Sequence, residues 1–394
     1  MLASMRLRSG QHLCYCTNVH PYADLAGLQS ALRGQAAVLR ERLDPGDEPL
    51  GVGLWFPADV AASVAHDPEP LRRTLSELRL ETRTLNAFPA GAFHGDRVKD
   101  AVFRPTWADP ARLRHTLDAA EALAALLPDD AVGSISTHSG GYKGWASPPG
   151  PEAVAAGWLA AAEGLARLEE RTGRHIVLAI EPEPLSMLET TDEVVTFFGE
   201  HLQPAGDLAA RYLGLCYDAC HQAVEHEDMA ASVAQLRAAG IAIAKVQLSS
   251  ALVVPDPRGA AGRLAAFAED RWFHQVIERR DDGSLHRIAD LPDALAELSS
   301  HAGEAGATGP WRIHFHVPIF AEQLDAEGLL LTTRPWLEEL LTQVGDVSVT
   351  PHLEIETYSF GMIPAERRAA LGTVELLDAL EAEYRWVLER LPPA

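Results

Sequence analysis

Positive charge is what this chain has least of for its size: 33 Lys and Arg stand against 56 Asp and Glu in 394 residues, a formal net charge of −23. A surface of that sign repels a phosphate backbone, so nucleic acid is not an expected partner. Long hydrophobic runs are missing as well. The apolar stretch at 241–246 falls far short of the ~20 residues needed to cross a bilayer, and no membrane span is expected. The first ten residues carry two arginines and no apolar run of the kind a secretory leader requires, which makes the cytoplasm the expected compartment. Cysteine is scarce. Cys14, Cys16, Cys216 and Cys220 form two close pairs far apart in the chain. Such pairs suit zinc, but each lies on or beside an expected core strand, which favours free, reduced, buried thiols. There is no internal repeat and no low-complexity tract.

What is present is enough for a large core: 47% hydrophobic and 23% charged residues are close to average usage. Short β-rich runs alternate with longer helical stretches along almost the whole chain, a pattern of parallel strands with helical crossovers. Strands are expected at 12–19, 51–56, 80–88, 132–138, 175–183, 213–218, 241–249 and 352–357. Helices are expected at 25–42, 68–78, 112–127, 153–170, 191–200, 228–238 and 335–343, with a last one within 364–391, each showing apolar positions three or four residues apart. This predicts one (β/α)₈ TIM-barrel domain over 1–394. The excess chain at 251–330 is too long for a simple crossover. It is expected to be an insertion over the catalytic face, with a hairpin around Asp282-Gly283, a helix at 291–301 and a strand at 311–317.

Barrel strands carry their chemistry at their C-terminal ends. Here apolar strands end in Glu181, Asp218, Gln247 and Glu356. A single buried carboxylate is commonly explained by a salt bridge. Three on one rim with few cations nearby repel one another strongly, and a divalent cation relieves that repulsion. Carboxylates with an amide or imidazoles suit Mn, Mg, Zn, Co or Fe, so ligand type does not name the ion. Histidines fall at similar ends. His138, His221 and His316 are expected at the site, His20 and His94 with less reason, and His314 shares a strand face with Arg312 and His316. Lys143, in a glycine- and aromatic-rich loop, and Lys245 are rare cations near the rim. They are expected to meet a substrate phosphate or carboxylate, or to neutralise Glu181 or Glu183.

Together Ala179-Ile180-Glu181, Asp218-Ala219-Cys220-His221 and Leu353-Glu354-Ile355-Glu356-Thr357 resemble the xylose isomerase-like barrels, which include sugar isomerases, epimerases and endonuclease IV. The resemblance implies that Glu181, Asp218 and Glu356 are metal ligands, that His221 is a ligand or substrate contact, and that His138 holds a second metal or touches substrate. Gln247 stands where that family has a histidine. More narrowly, the segments at 12–21, 180–184 and 314–318 look like the metabolite traffic protein EboE group, whose name reflects secondary-metabolite gene context.

The resulting expectation is a metal-dependent isomerase or epimerase of a small sugar, polyol or cyclitol, with or without a phosphate. Glu181 and Glu356 would be its catalytic carboxylates, His138, His221, Lys143, Lys245 and His314 its substrate contacts, and Glu181, Asp218, His221, Gln247, His316 and Glu356 its metal ligands. The alternatives are a hydrolase of a small phosphate ester, with His138, His221, His314 and His316 helping to hold a second ion, and a non-catalytic metabolite carrier.

Overall fold

Eight parallel strands close into a ring: His12–Cys16, Leu50–Trp55, an interrupted third strand (Leu80–Glu81 and Thr84–Asn86), Gly133–His138, Ile176–Glu181, Leu213–Asp218, Ile243–Leu248 and His352–Ile355. The first pairs in parallel with both the second and the eighth, which leaves no open edge. Helices fill the crossovers, so the chain is a (β/α)₈ barrel with a long insertion between strands seven and eight. The computed structural model describes residues 7–91, 93–300 and 309–391. Among them no helix is long and apolar enough to cross a membrane.

Local chemistry sets the helix ends. Asp109 caps Pro110–Leu126 by accepting from the Ala111 N–H, and Asp228 caps Met229–Ala238 by accepting from Ala231, both at 2.8 Å. Gly173, at φ +70°, ends Pro151–Thr172 in the left-handed conformation that costs glycine least. Several elements depart from the sequence reading, among them short helices at Asp207–Tyr212, Ala219–Val224 and Pro257–Leu264 and a final helix divided into Ala365–Ala370 and Leu376–Arg390. The second crossover begins with a helix at Ala58–His66 whose small residues give a weak apolar stripe, and the third strand breaks at Thr82-Arg83.

The insertion folds as a five-stranded antiparallel sheet in the order Leu285–Ile288, Val276–Arg279, Trp311–Ile313, Leu252–Val254, Leu331–Thr332. It is larger than the hairpin, helix and strand read from the sequence. The expected helix runs Leu291–Ser300, and its last expected residue, His301, lies outside the described residues. The sheet has an apolar cluster of its own, including Phe267, Trp311, Ile313 and Phe315, distinct from the main barrel cluster. Arg287 fastens it to the barrel rim: its guanidinium is 2.9 Å from Glu189 after strand five and 2.5 Å from Glu225 after strand six.

Candidate functional site

At the C-terminal ends of strands five, six and eight, one carboxylate oxygen each from Glu181, Asp218 and Glu356 lies within 4.8 Å of the other two. All three side chains are buried. The neighbours that hold them differ. Glu356 Oε1 accepts from the amides of Asn18 (2.7 Å) and Asn86 (3.1 Å), at the ends of strands one and three. Asp218 caps the short helix Ala219–Val224. Its Oδ1 accepts from the His221 backbone N–H at 3.0 Å and from Ser249 Oγ at 2.7 Å. The second oxygen of Asp218 and Glu181 Oε2 are buried with no hydrogen-bond partner. Gln247 is paired in register with Asp218 on the adjacent strand, is fully buried, and its amide makes no hydrogen bond through either atom. Orphaned oxygens among clustered carboxylates cost several kcal/mol unless something electropositive meets them, and this donor set fits a divalent cation.

Imidazoles complete the floor. His221 Nδ1–H donates to Pro182 O at 2.8 Å and His316 Nδ1–H donates to Glu356 O at 2.9 Å. In each ring the Nε2 lone pair is thereby turned toward Asp218 Oδ2, at 3.9 and 4.0 Å. A backbone carbonyl that fixes the tautomer is the usual support of a metal-binding histidine. His314 is set by Gln275, whose Oε1 lies 2.7 Å from Nδ1 while its NH₂ donates to Glu183 Oε1 (3.3 Å) and Pro184 O (3.1 Å).

Burial and mutual repulsion show in the proton affinities. Burial pushes Glu181 up to about 8, with Asp218 and Glu183 adding to it and His221 and Lys245 opposing. Burial also raises Glu183 to about 7 and takes Glu356 well above the usual carboxylate range, the latter with help from Glu181 and Asp218. Asp218 goes the other way. Burial opposes its ionisation, but His221, His316 and its two hydrogen bonds outweigh burial and hold it below the ordinary value. His221 is correspondingly raised against burial by Asp218, Glu183 and Glu181. Burial lowers His316 to about 4 and His314 well below the usual imidazole range.

Of the residues expected from the sequence, Glu181, Asp218, His221, His314, His316 and Glu356 come together, with Gln247 beside Asp218. Three others do not. His138 uses both ring nitrogens elsewhere: Nδ1 accepts from Gly140 N–H and Nε2–H donates to Pro105 O, both at 3.2 Å. Its ring is packed edge-on against Phe88 and Phe103. Lys143 is half-exposed and paired with Glu189 (3.1 Å) and Glu193 (2.7 Å). Lys245 lies inside the barrel, where its ammonium is 2.6 Å from Glu354 and both side chains are fully buried. Gly53 makes room for that pair, since a Cβ there would collide with Glu354 Oε1.

His20 bonds the Tyr15 hydroxyl at 3.0 Å and His94 the Asn18 carbonyl at 2.6 Å. Arg312 turns from the site, donating to Ala223 O at 2.5 Å and lying 4.0 Å over the Trp336 ring. The four cysteines are free and buried. Cys220 alone among them joins a possible ligand group, with His314 and His316. The sequence reading missed Asn18, Asn86, Gln275 and Tyr358. The two asparagines had a readable signal, since each is a polar side chain following an apolar strand.

Lys245→Met tests the internal pair. It leaves Glu354 buried and uncompensated, and a loss of about 3 kcal/mol or more is expected in denaturant melts. Adding Glu354→Gln should recover most of it; a double variant no more stable than the single one would show that the lysine acts through some other contact.

Comparison with family models and with curated sequences gives no match. Similar solved structures include an L-ribulose 3-epimerase, at 14% identity over 96% of this chain and 94% of that one, TM-score 0.46. The IOLI protein with a bound zinc atom matches at 12% identity over 96% and 97%, TM-score 0.45. A D-tagatose 3-epimerase-like protein matches at 13% over 95% and 99%, TM-score 0.45. What those proteins act on is not transferred by likeness of this degree, and the chemistry of this chain rests on its own side chains.

Proposed function

We propose that this chain is a divalent-metal-dependent isomerase or epimerase of a small sugar, polyol or cyclitol. The observation that carries the reading is the group of three buried carboxylates within 4.8 Å, two of them with an oxygen that nothing in the protein satisfies. Glu181, Asp218, Glu356 and Gln247 would hold the cation, with His221 and His316 turned toward Asp218. Once bound, a divalent ion supplies Lewis acidity toward adjacent substrate oxygens.

The protein's own part is proton transfer at carbon. Glu181 would be the base: burial raises it to about 8 without a metal, and beside a bound cation it would stay ionised near neutral pH, as acid–base catalysis requires. It would take the proton from the carbon beside the substrate carbonyl, and the electron pair of that C–H bond moves into the carbonyl, leaving an enediolate. Returning a proton to the other carbon, with the hydroxyl proton passing from one oxygen to the other, completes an isomerisation; returning a proton to the same carbon from the opposite face completes an epimerisation. Glu356 would deliver it; in support, it comes from strand eight while Glu181 comes from strand five, and its carboxylate accepts from Asn18 and Asn86. A role in secondary-metabolite biosynthesis or traffic, implied by the EboE resemblance, is compatible with such a reaction.

The test is solvent exchange. Metal-loaded protein incubated in D₂O with a panel of ketoses, aldoses and keto-cyclitols should place deuterium beside the carbonyl of at least one member. Chelation and Glu181→Gln should each reduce that exchange by about 100-fold or more. Tight binding of a panel member with no exchange would instead make this a carrier.

One observation favours hydrolysis of a small phosphate ester as a second reading. His314 and His316 both carry their proton on Nδ1, yet their Nε2 atoms are 3.1 Å apart. Two lone pairs at that distance call for a shared proton or a second cation. Two ions per chain, with phosphate released from a small ester and no deuterium exchange, would replace the first reading by this one.

A further inference from the structure

The pocket above the floor changes character abruptly. Between the carboxylates and solvent its wall is made by Phe88, Phe93, Val102, Trp272, Phe273 and Tyr358. Phe93, Trp272 and Tyr358 form a mutually packed triangle with ring centres 5.1 to 5.2 Å apart. Phe273 stacks on Tyr142 at 5.3 Å, which stacks on Phe103 at 5.8 Å.

The polar atoms of that wall are already taken. Trp272 Nε1–H donates to Phe93 O at 3.0 Å, and the Tyr358 hydroxyl lies 3.4 Å from His314 Nε2. Lys99 is the only cation lining the pocket among the described residues. Its ammonium is ion-paired with Asp290 and lies 3.5 Å from Asp270. Asp290 is in turn held by the backbone N–H groups of His274 (3.1 Å) and Leu291 (3.0 Å), so the pair is built in rather than waiting for an anion.

Two kinds of ligand fit this wall badly. A polyol with a hydroxyl on every carbon would press its outer hydroxyls against aromatic faces with no partner, and unpaired buried hydroxyls weaken binding sharply. A phosphate against the wall would find no side-chain cation free to receive it among the described residues, since Lys99 is already paired, and would add negative charge beside Glu181, Glu183 and Glu356, whose own charge the divalent ion already has to offset.

We propose that the substrate is uncharged and amphipathic: a glycoside or ether of a sugar or cyclitol. Its hydroxyl- and carbonyl-bearing end lies on the carboxylate and imidazole floor, and its apolar substituent lies against the Phe93, Trp272, Phe273 and Tyr358 wall. This rests on the metal-dependent isomerase reading and narrows its substrate.

The test is calorimetric titration of the full chain loaded with Mn²⁺. The ligands are phenyl and methyl β-pyranosides of glucose, galactose and mannose carrying a ketone at one ring carbon, together with the 6-phosphates of the same sugars. In at least one configuration the phenyl glycoside should bind about tenfold more tightly than the methyl one, the increment expected for burying an aromatic ring against others, and the phosphates should bind more weakly than either. Phe273→Ala, at a partly exposed position, should reduce the phenyl-to-methyl ratio. Equal phenyl and methyl affinities in every configuration, including no binding by either, would overturn the proposal; so would tighter binding of a phosphate, or a ratio unchanged in Phe273→Ala. The Mn²⁺ titration that precedes the sugars separates the two levels. Failure to bind the metal defeats the isomerase reading itself, whereas metal binding without a phenyl preference defeats only the substrate class.

Discussion

Held with a chelator, the protein should lose about 2 to 4 kcal/mol of stability between pH 6.5 and pH 8.5, and added Mn²⁺ or Zn²⁺ should abolish most of that loss. Glu181 and Glu183 titrate at about 8 and about 7 in the fold, against 4.5 for an ordinary glutamate, and Glu356 is raised further. A carboxyl with a raised folded value binds its proton more tightly folded than unfolded. Its contribution is complete below about 4.5 and disappears as pH rises through 7 to 8. Below pH 6.5 an opposing set of groups intervenes. Burial lowers His20, His115 and His316 to about 4 and His352 to about 3. Such imidazoles contribute stability above 6.5 that is lost on acidification, so the carboxylates are seen cleanly only above that value. A proton held by the fold alone costs about 1.4 kcal/mol per pH unit until it is released, so over this window Glu181 at about 8 loses about 2 kcal/mol and Glu183 at about 7 about 1 kcal/mol, with Glu356 adding to both. A bound cation keeps them ionised and offsets their repulsion. Thermal melts in chelator and in metal should diverge as pH rises; parallel curves would mean that no cation meets these oxygens.

Asp218→Asn should remove nearly all stabilisation by metal while leaving the metal-free fold intact. At a free metal concentration 100 times Kd, the wild type should gain about 2.7 kcal/mol. The variant, deprived of the carboxylate that faces both imidazoles, should gain only a few tenths of that. Its metal-free stability should equal or exceed the wild type's for a local reason. Asparagine keeps an oxygen for the Ser249 hydroxyl and the His221 N–H, and its new NH₂ group faces His221 Nε2 and His316 Nε2. It also removes a negative charge that pushes Glu181 and Glu356 up. Equal metal-induced shifts in the two proteins would assign Asp218 a purely structural place as the cap of its helix.

The barrel was legible because each strand is a short apolar run bounded by helix or turn signals, and parallel strands buried on both faces carry that pattern strongly. The metal-type cluster was legible because charge at the end of such a run is conspicuous. Gln247 was legible from its place in the same series of strand ends. Asn18 and Asn86, which direct Glu356, carried the same signal of a polar side chain after an apolar run but no charge to single them out. Partners distant in sequence decided the remaining cases. His138 is claimed by Pro105 and by two phenylalanine rings, and Lys245 by Glu354. The insertion announced itself through surplus length, but three of its five strands are no longer than three residues, too short for an alternating pattern.

Floor and wall of this pocket each draw on both the barrel and the insertion. The carboxylates belong to the ends of barrel strands, where moving one would disturb the ring. Trp272 and Phe273 of the wall come from the inserted segment, as do His314 and His316 of the floor and the Gln275 that sets His314, whereas Phe88 and Phe93 follow strand three and Tyr358 follows strand eight. A lineage descended from this chain can therefore vary part of what it accepts at Trp272 and Phe273 within the insertion, while the carboxylates on the barrel strands are inherited unchanged. For an engineer the same division marks those two aromatic positions as the ones to randomise, and the strand ends together with Gln275, His314 and His316 as the part to leave alone.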